Sequence, residues 1–242
     1  MRVVGLSKLI VGAVALFAVT LPASAGVEGY LFRLEAQSPA GAGAFYVTEE
    51  MGQWEGNVWT WQLDQPVPIV GGVGRSVIAT LQSGQVRVRL NPVISLGFAV
   101  QAGDAQTTFT IQSALLSFPP LVNPLAQTSA GITLTDFDGT GAQLNGLGPV
   151  NGAYLAQYNG FVPGGTTFHE AIPTMTAGPF DVVDASTDSG VQSIVGTVSS
   201  MSSQFSFTLS ANDLAAGTSI YEIVPEPASV LLIVMAALLR RR

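Results

Sequence analysis

Apolar residues recur at every second position over short stretches of this chain, which is the pattern of strands with one buried face and one wet face. In Gln85–Leu90, Val86, Val88 and Leu90 fall on one side while Arg87 and Arg89 fall on the other. Thr108–Gln112 and Phe205–Ser210 alternate in the same way, and Tyr30, Phe32 and Leu34 share a face. Trp59 and Trp61 are two apart, with Leu63 continuing their face and Thr60 and Gln62 opposite. The runs are punctuated by turn-forming pairs: Ser83-Gly84, Gly103-Asp104, Asp138-Gly139, Asn145-Gly146, Asn151-Gly152, Asn159-Gly160 and Ser189-Gly190. Val77–Leu81 and Gln85–Leu90, joined by Gln82-Ser83-Gly84, predict a hairpin. Phe118-Pro119-Pro120 and Val162-Pro163-Gly164-Gly165 read as loops between sheets. No stretch keeps a 3.6-residue apolar period for three turns, and Asn212–Ala216 allows one helical turn at most. Many short strands with polar outer faces predict an all-β fold, an antiparallel β-sandwich or jelly roll in a single domain.

Composition narrows what such a domain does. Between Gly26 and Val224 there are four arginines, no lysine and 15 acidic residues. An acidic surface without lysine repels phosphate backbones, so nucleic acid is excluded as a partner. The missing amine also excludes a P-loop and a pyridoxal Schiff base in that segment. Gly71-Gly72-Val73-Gly74 is therefore a plain loop. The chain has no cysteine, so neither disulfides nor thiolate metal sites contribute, and stability rests on the core.

Both ends of the chain read as addresses. Arg2 and Lys8 precede a 13-residue apolar run, Leu9–Leu21, and Ala23-Ser24-Ala25 supplies the small-x-small pattern that signal peptidase cleaves. Residues 1–25 are thus expected to be removed, leaving Gly26 as the mature start. At the other end Pro225-Glu226-Pro227 is followed by the apolar run Ala228–Leu239 and by Arg240, Arg241 and Arg242. Three arginines hold that end in the cytoplasm. Twelve helical residues make about 18 Å, against roughly 30 Å of hydrocarbon, which suits transient retention rather than a permanent anchor. The two prolines keep the junction extended, a shape that a protease can bind.

Pro-Glu-Pro, apolar segment and arginine cluster in this order resemble the PEP-CTERM sorting signal of exported bacterial proteins. Pro225, Glu226 and Pro227 match its tripeptide, Ala228–Leu239 its membrane segment and Arg240–Arg242 its basic tail. The resemblance covers about a tenth of the chain. It implies an organism with an outer membrane, an inner-membrane precursor held transiently by its tail, and cleavage by an exosortase-type membrane protease. The product then belongs at the cell surface or outside the cell, with exopolysaccharide and biofilm material. Residues 26–223 are the ectodomain and 224–242 the sorting signal.

Within the ectodomain the candidates for chemistry are sparse. His169 is the only histidine, so a multi-histidine metal site cannot form, and no Gly-x-Ser-x-Gly elbow supplies a nucleophile. It reads as a surface or loop residue. Asp136 and Asp138, followed by Gly139, begin like a calcium loop, but Thr140 stands at position five and no glutamate closes the motif. They read as solvated carboxylates of a β-turn. Asp181, Asp184 and Asp188 form a second loose acidic group. Glu49, Glu50 and Glu55 are the carboxylates that glycosidic cleavage would need, although their spacing in sequence fixes no separation. Trp59 and Trp61 read as core residues; their alternative role is a flat platform for sugar rings. The expectation is a non-catalytic, cofactor-free surface or matrix protein, with a carbohydrate-binding module as the alternative and a glycan-active enzyme as a weaker one.

Overall fold

A computed structural model describes residues 25–72, 76–161 and 164–225. The signal segment through Ser24, Arg75, Val162, Pro163, and the tail from Glu226 through Pro227 to Arg240, Arg241 and Arg242 lie outside these residues. In chain order the strands are β1 (Gly26–Ser38), β2 (Gly41–Val47), β3 (Gln53–Glu55), β4 (Val58–Gln62), β5 (Val67–Gly71), β6 (Ser76–Arg89), β7 (Val93–Ala102), β8 (Thr107–Val122) and β9 (Leu125–Thr135). They continue with β10 (Ala142–Gly146), β11 (Tyr154–Tyr158), β12 (Thr166–Ala171), β13 (Thr174–Ala177), β14 (Val182–Asp188), β15 (Gln192–Ser193), β16 (Thr197–Leu209) and β17 (Leu214–Val224). One turn of 3₁₀ helix, Glu49–Met51, is the sole helical element among the described residues, and none of them forms a helix able to cross a membrane.

The strands make two antiparallel sheets packed face to face. Sheet A runs β12-β11-β16-β8-β1-β2, with β10 beside β16 and β13 beside β10. Sheet B runs β14-β9-β17-β7-β6-β4-β3, with β15 on β9 and β5 on β6. Alternation places Phe32, Phe109, Phe205 and Phe207 of sheet A against Trp59, Trp61, Phe98 and Tyr221 of sheet B, all buried. Phe98 meets Phe205 edge-on at 4.9 Å, and Trp61 lies 5.5 Å from Phe32. Each such ring removes about 150–250 Å² from water, so this aromatic layer contributes a large share of the buried apolar area. The Tyr154 hydroxyl crosses the interior to Thr128 Oγ1 at 2.5 Å, tying β11 to β9. Burial pushes its pKa up to about 12, so it stays a neutral donor. Along one side β2 lies directly against β5: a Cβ on Gly43 would sit 2.4 Å from the Val70 carbonyl oxygen, and only glycine fits there.

Several local expectations are corrected. Ser76–Arg89 is one strand, not a hairpin. Its register against β7 slips between Leu81 and Ser83, so Gln82 is the extra residue of a β-bulge. The bulge reverses the phase, which is why odd-numbered Leu81 and even-numbered Val86 both face inward. A serine-glycine pair inside a strand thus served bending rather than turning. Phe118-Pro119-Pro120 lies within β8, not in a loop. The register against β16 shifts there, between Val198 and Ser200, and β1 reaches only Ser117, so the prolines withhold no ladder bond that β1 needs. Tyr30 does not share the face of Phe32 and Leu34. A register irregularity between Glu28 and Phe32 turns it outward, and Gly29 supplies the required φ of 75°. Asn145-Gly146 ends β10 rather than forming a turn. Asn212 lies in a turn and Leu214 already belongs to β17, so no helical turn forms.

Candidate functional site

Trp59 is fully buried and Trp61 is 8% exposed. The Trp59 indole N–H donates to the Glu49 carbonyl at 3.1 Å, and the Trp61 ring contacts Phe32 and Phe45. Neither presents a face to solvent, so the sugar platform assigned to this pair is withdrawn. The core needed their area, and the β4 alternation delivered both to it.

The acidic residues are drawn into local tasks. Asp136 is buried, not solvated: its carboxylate accepts N–H bonds from Gly139, Gly141 and Phe180 at 3.0, 3.1 and 2.6 Å. Asp138 is exposed and accepts from the Thr140 N–H at 2.9 Å; hydrogen bonding from the Thr140 hydroxyl, then from that N–H, holds its pKa below the usual carboxylate value. Asp213, absent from the sequence expectation, joins them; one carboxylate oxygen of each of the three lies within 4.8 Å of the others. Asp213 is fully buried and accepts from Ser210 and from the Phe137 N–H. Burial raises its pKa, and the neighbouring Asp136 adds to the rise. With three backbone donors on Asp136, the group works as a knot that ties the β9–β10 loop to the β13–β14 loop and the start of β17.

Asp181, Asp184 and Asp188 do not converge. Asp184 bonds Thr133 across β14 and β9, and Asp188 accepts from the Gly190 N–H. Glu49 accepts from the exposed Trp54 indole at 2.7 Å, and Glu50 is engaged by Thr48. His169 is neither loop nor free surface: it sits half-buried in β12, its Nε2 2.8 Å from Thr187 Oγ1 on β14, linking the edges of the two sheets. Its neighbour Glu170 accepts from the N–H groups of Val150 and Gly152, holding the β10–β11 loop.

The solvent faces of the sheets differ. Sheet B carries a shallow trough of about 590 Å³ over its middle strands. Register sets Gln85, Gly97, Thr218, Gly131 and Ser186 in one row across β6, β7, β17, β9 and β14, so the floor is small and polar. Phe98 also lines the trough, but it is almost fully buried and offers no open ring face. Sheet A carries a more structured strip. Tyr30 and Tyr46 are both exposed and stack with centroids 4.4 Å apart. The Arg33 guanidinium lies 6.0 Å from the Tyr46 ring and is paired with Glu35. The hydrogen bond from Arg33 to Glu35 raises the arginine pKa further. Arg33 also donates to Gln112 Oε1 at 3.4 Å, and Gln112 Nε2 donates to Gln204 Oε1 at 2.6 Å. The strip therefore runs Tyr46, Arg33, Gln112, Gln204 across β2, β1, β8 and β16 in register. Aromatic faces beside amide and guanidinium donors suit a ligand with both C–H faces and hydroxyls. Sequence reasoning missed it because the bulge that exposes Tyr30 is not written in the alternation.

No family model matches this chain, and no curated protein matches it either. Among solved structures it is similar to a "Family 16 Carbohydrate Binding Module-2", at 14% identity over 52% of this chain and 82% of that one, with a TM-score of 0.25. It is also similar to the enzymatically active domain of bacteriophage CBA120 tailspike protein 4, at 10% identity over 74% of this chain and 22% of that one, TM-score 0.26. A third likeness is to the infectious bursal disease virus Gx strain structure, at 15% identity over 86% and 54% of the two chains, TM-score 0.27. Likenesses this distant say nothing about what the present chain binds or does; the β-sandwich stands on its own strand order.

Proposed function

We propose that this is an exported, non-catalytic β-sandwich, delivered to the cell surface or the extracellular matrix by its C-terminal sorting signal and working there among exopolysaccharide. The supporting observation is the way the domain ends. β17 runs to Val224, and Pro225 follows directly and is exposed. The tripeptide Pro225-Glu226-Pro227 thus starts at the residue that directly follows β17. The acidic, lysine-free surface is compatible with life outside the cell.

Replacing Pro225, Glu226 and Pro227 by alanine, in a host with an exosortase-type protease, is expected to leave a membrane-associated precursor of unshortened mass. Mass spectrometry of the mature C-terminus reads the outcome. Processing and release equal to wild type would end the sorting-signal reading.

A second reading is favoured by one observation, the exposed Tyr30–Tyr46 stack beside Arg33. It is glycan binding on the outer face of sheet A rather than at the buried tryptophans. Tyr46→Ala is expected to abolish retention on the native polysaccharide while leaving the fold intact; unchanged retention would discard this reading.

A further inference from the structure

We infer that the pole of the sandwich from which both chain ends leave is a membrane-docking surface, which seats the precursor flat on the phospholipid bilayer that holds its tail. The inference rests on the reading of Ala228–Leu239 as a membrane segment.

Register places the ends together. Gly26 opens β1 opposite Ser117 of β8, which runs on to Val122. Val122 faces Thr197, while Leu125 pairs with both Val224 and Ser193. The β8–β9 turn is bonded to the loop before β16, through Asn123 N–H to the Gly196 carbonyl at 2.8 Å and Ile194 N–H to the Pro124 carbonyl at 2.9 Å. One pole therefore gathers the mature start, the β8–β9 turn, the 190–196 loop and the exit of β17.

That pole carries a group of exposed valines. Val195 is 91% exposed and Val122 68%, with Val191 and Val224 also exposed. No charged residue occurs between Asp104 and Asp136 or between Asp188 and Asp213, the segments that form the β8–β9 turn and the 190–196 loop, while Glu28 of β1 and Glu222 of β17 are the nearest carboxylates on the other two segments. At the opposite pole Asp136, Asp138 and Asp213 form one acidic group, with Asp181 bonded to Asp136 through the backbone. An anionic bilayer repels that three-carboxylate group and so favours the orientation that turns the valines toward the lipid.

Chain length makes the seat tight. Val224 to Ala228 spans at most about 14 Å even if fully extended. The polar layer of each leaflet takes up roughly 5–7 Å of that. If the apolar run enters hydrocarbon, Val224 is held at the interface, and exposed valines around it enter the same layer. The seat also brings the short run closer to spanning by leaving almost no length outside.

The test uses the precursor purified in detergent from the membranes of a host without an exosortase-type protease, with its tail retained and the detergent removed before mixing. The chain lacks cysteine, so V195C and, at the acidic pole, F180C each accept a single polarity-sensitive fluorophore. Each labelled protein is mixed with vesicles of phosphatidylethanolamine and phosphatidylglycerol containing brominated phospholipid. Flotation reports tail insertion, and quenching reports docking. The expected result is flotation of both proteins, with a blue-shifted, strongly quenched V195C label and an unshifted, unquenched F180C label. Flotation with an unquenched V195C label overturns docking and leaves the tail reading standing. Absence of flotation overturns both. A V195C blue shift without vesicles shows that a second copy covers the valines, and overturns docking in favour of self-association.

Discussion

Trp61→Ala asks how much of this fold depends on one ring. The indole sits 8% exposed between the sheets, tilted against Phe32 at 5.5 Å and Phe45 at 6.0 Å. A tryptophan buries about 150–250 Å², which at roughly 25 cal/mol per Å² gives about 4–6 kcal/mol of transfer free energy. Alanine keeps a small part of it, and neighbours relax into part of the void, so the expected loss is about 3–5 kcal/mol. Against a total of about 5–15 kcal/mol the variant would be barely folded or strongly weakened. With a urea m value of about 2–3 kcal/mol/M the midpoint should fall by roughly 1–2.5 M. Equilibrium urea melts followed by far-ultraviolet circular dichroism measure it. Trp54→Ala, whose indole is exposed on β3, serves as control and should change stability by about 0.5 kcal/mol or less. A Trp61→Ala midpoint within about 0.3 M of wild type would mean that the inter-sheet aromatic layer does not carry the fold, and would refute the reasoning.

Other expectations follow from the same structure. Asp213 has a raised folded pKa, so the native state holds its proton at pH values where the unfolded chain has released it; stability then falls as pH rises between the unfolded and folded values. Asp213→Asn should flatten that part of the pH–stability curve, and an unaltered curve would count against the buried-carboxylate account. EDTA should leave the melting temperature unchanged, because Asp136 is occupied by backbone N–H donors; a marked fall would make a cation structural. Asp136→Ala, by contrast, strands three backbone donors and should lower the melting temperature substantially. N-terminal sequencing of the exported protein should begin at Gly26, and a start at Met1 would remove the secretion argument.

Alternation alone was enough to read the sandwich, because a strand with one buried face must repeat every second residue. It also placed Trp59, Trp61, Val86 and Phe205 inside. What it hid were the interruptions of period. A bulge at Gln82 inserts one extra residue into β6 and an irregularity before Phe32 inserts two into β1, and neither has a residue signature distinct from a turn. The acidic knot was half legible: Asp136 and Asp138 are neighbours in sequence, but Asp213 arrives from 75 residues later through strand pairing. Tyr46 and Arg33 meet for the same reason, across a β1–β2 register that no local pattern records.

The order in which strands occupy the sheets has a consequence for timing. β16 lies between β8 and β11, and β17 lies between β7 and β9. Each sheet thus receives a central strand from the last 46 residues of the chain. A chain that emerges from its N-terminus, whether from the ribosome or through a membrane pore, can form the β1–β2 hairpin and the β6–β7 ladder early. β7 and β9 nevertheless remain without their shared neighbour until Val224 has appeared. Long-range closure of this kind is slow and leaves unpaired edges while it waits. The nascent domain therefore stays loose enough to thread, and locks only when the final strand arrives. Closure of both sheets thus waits on β16 and β17.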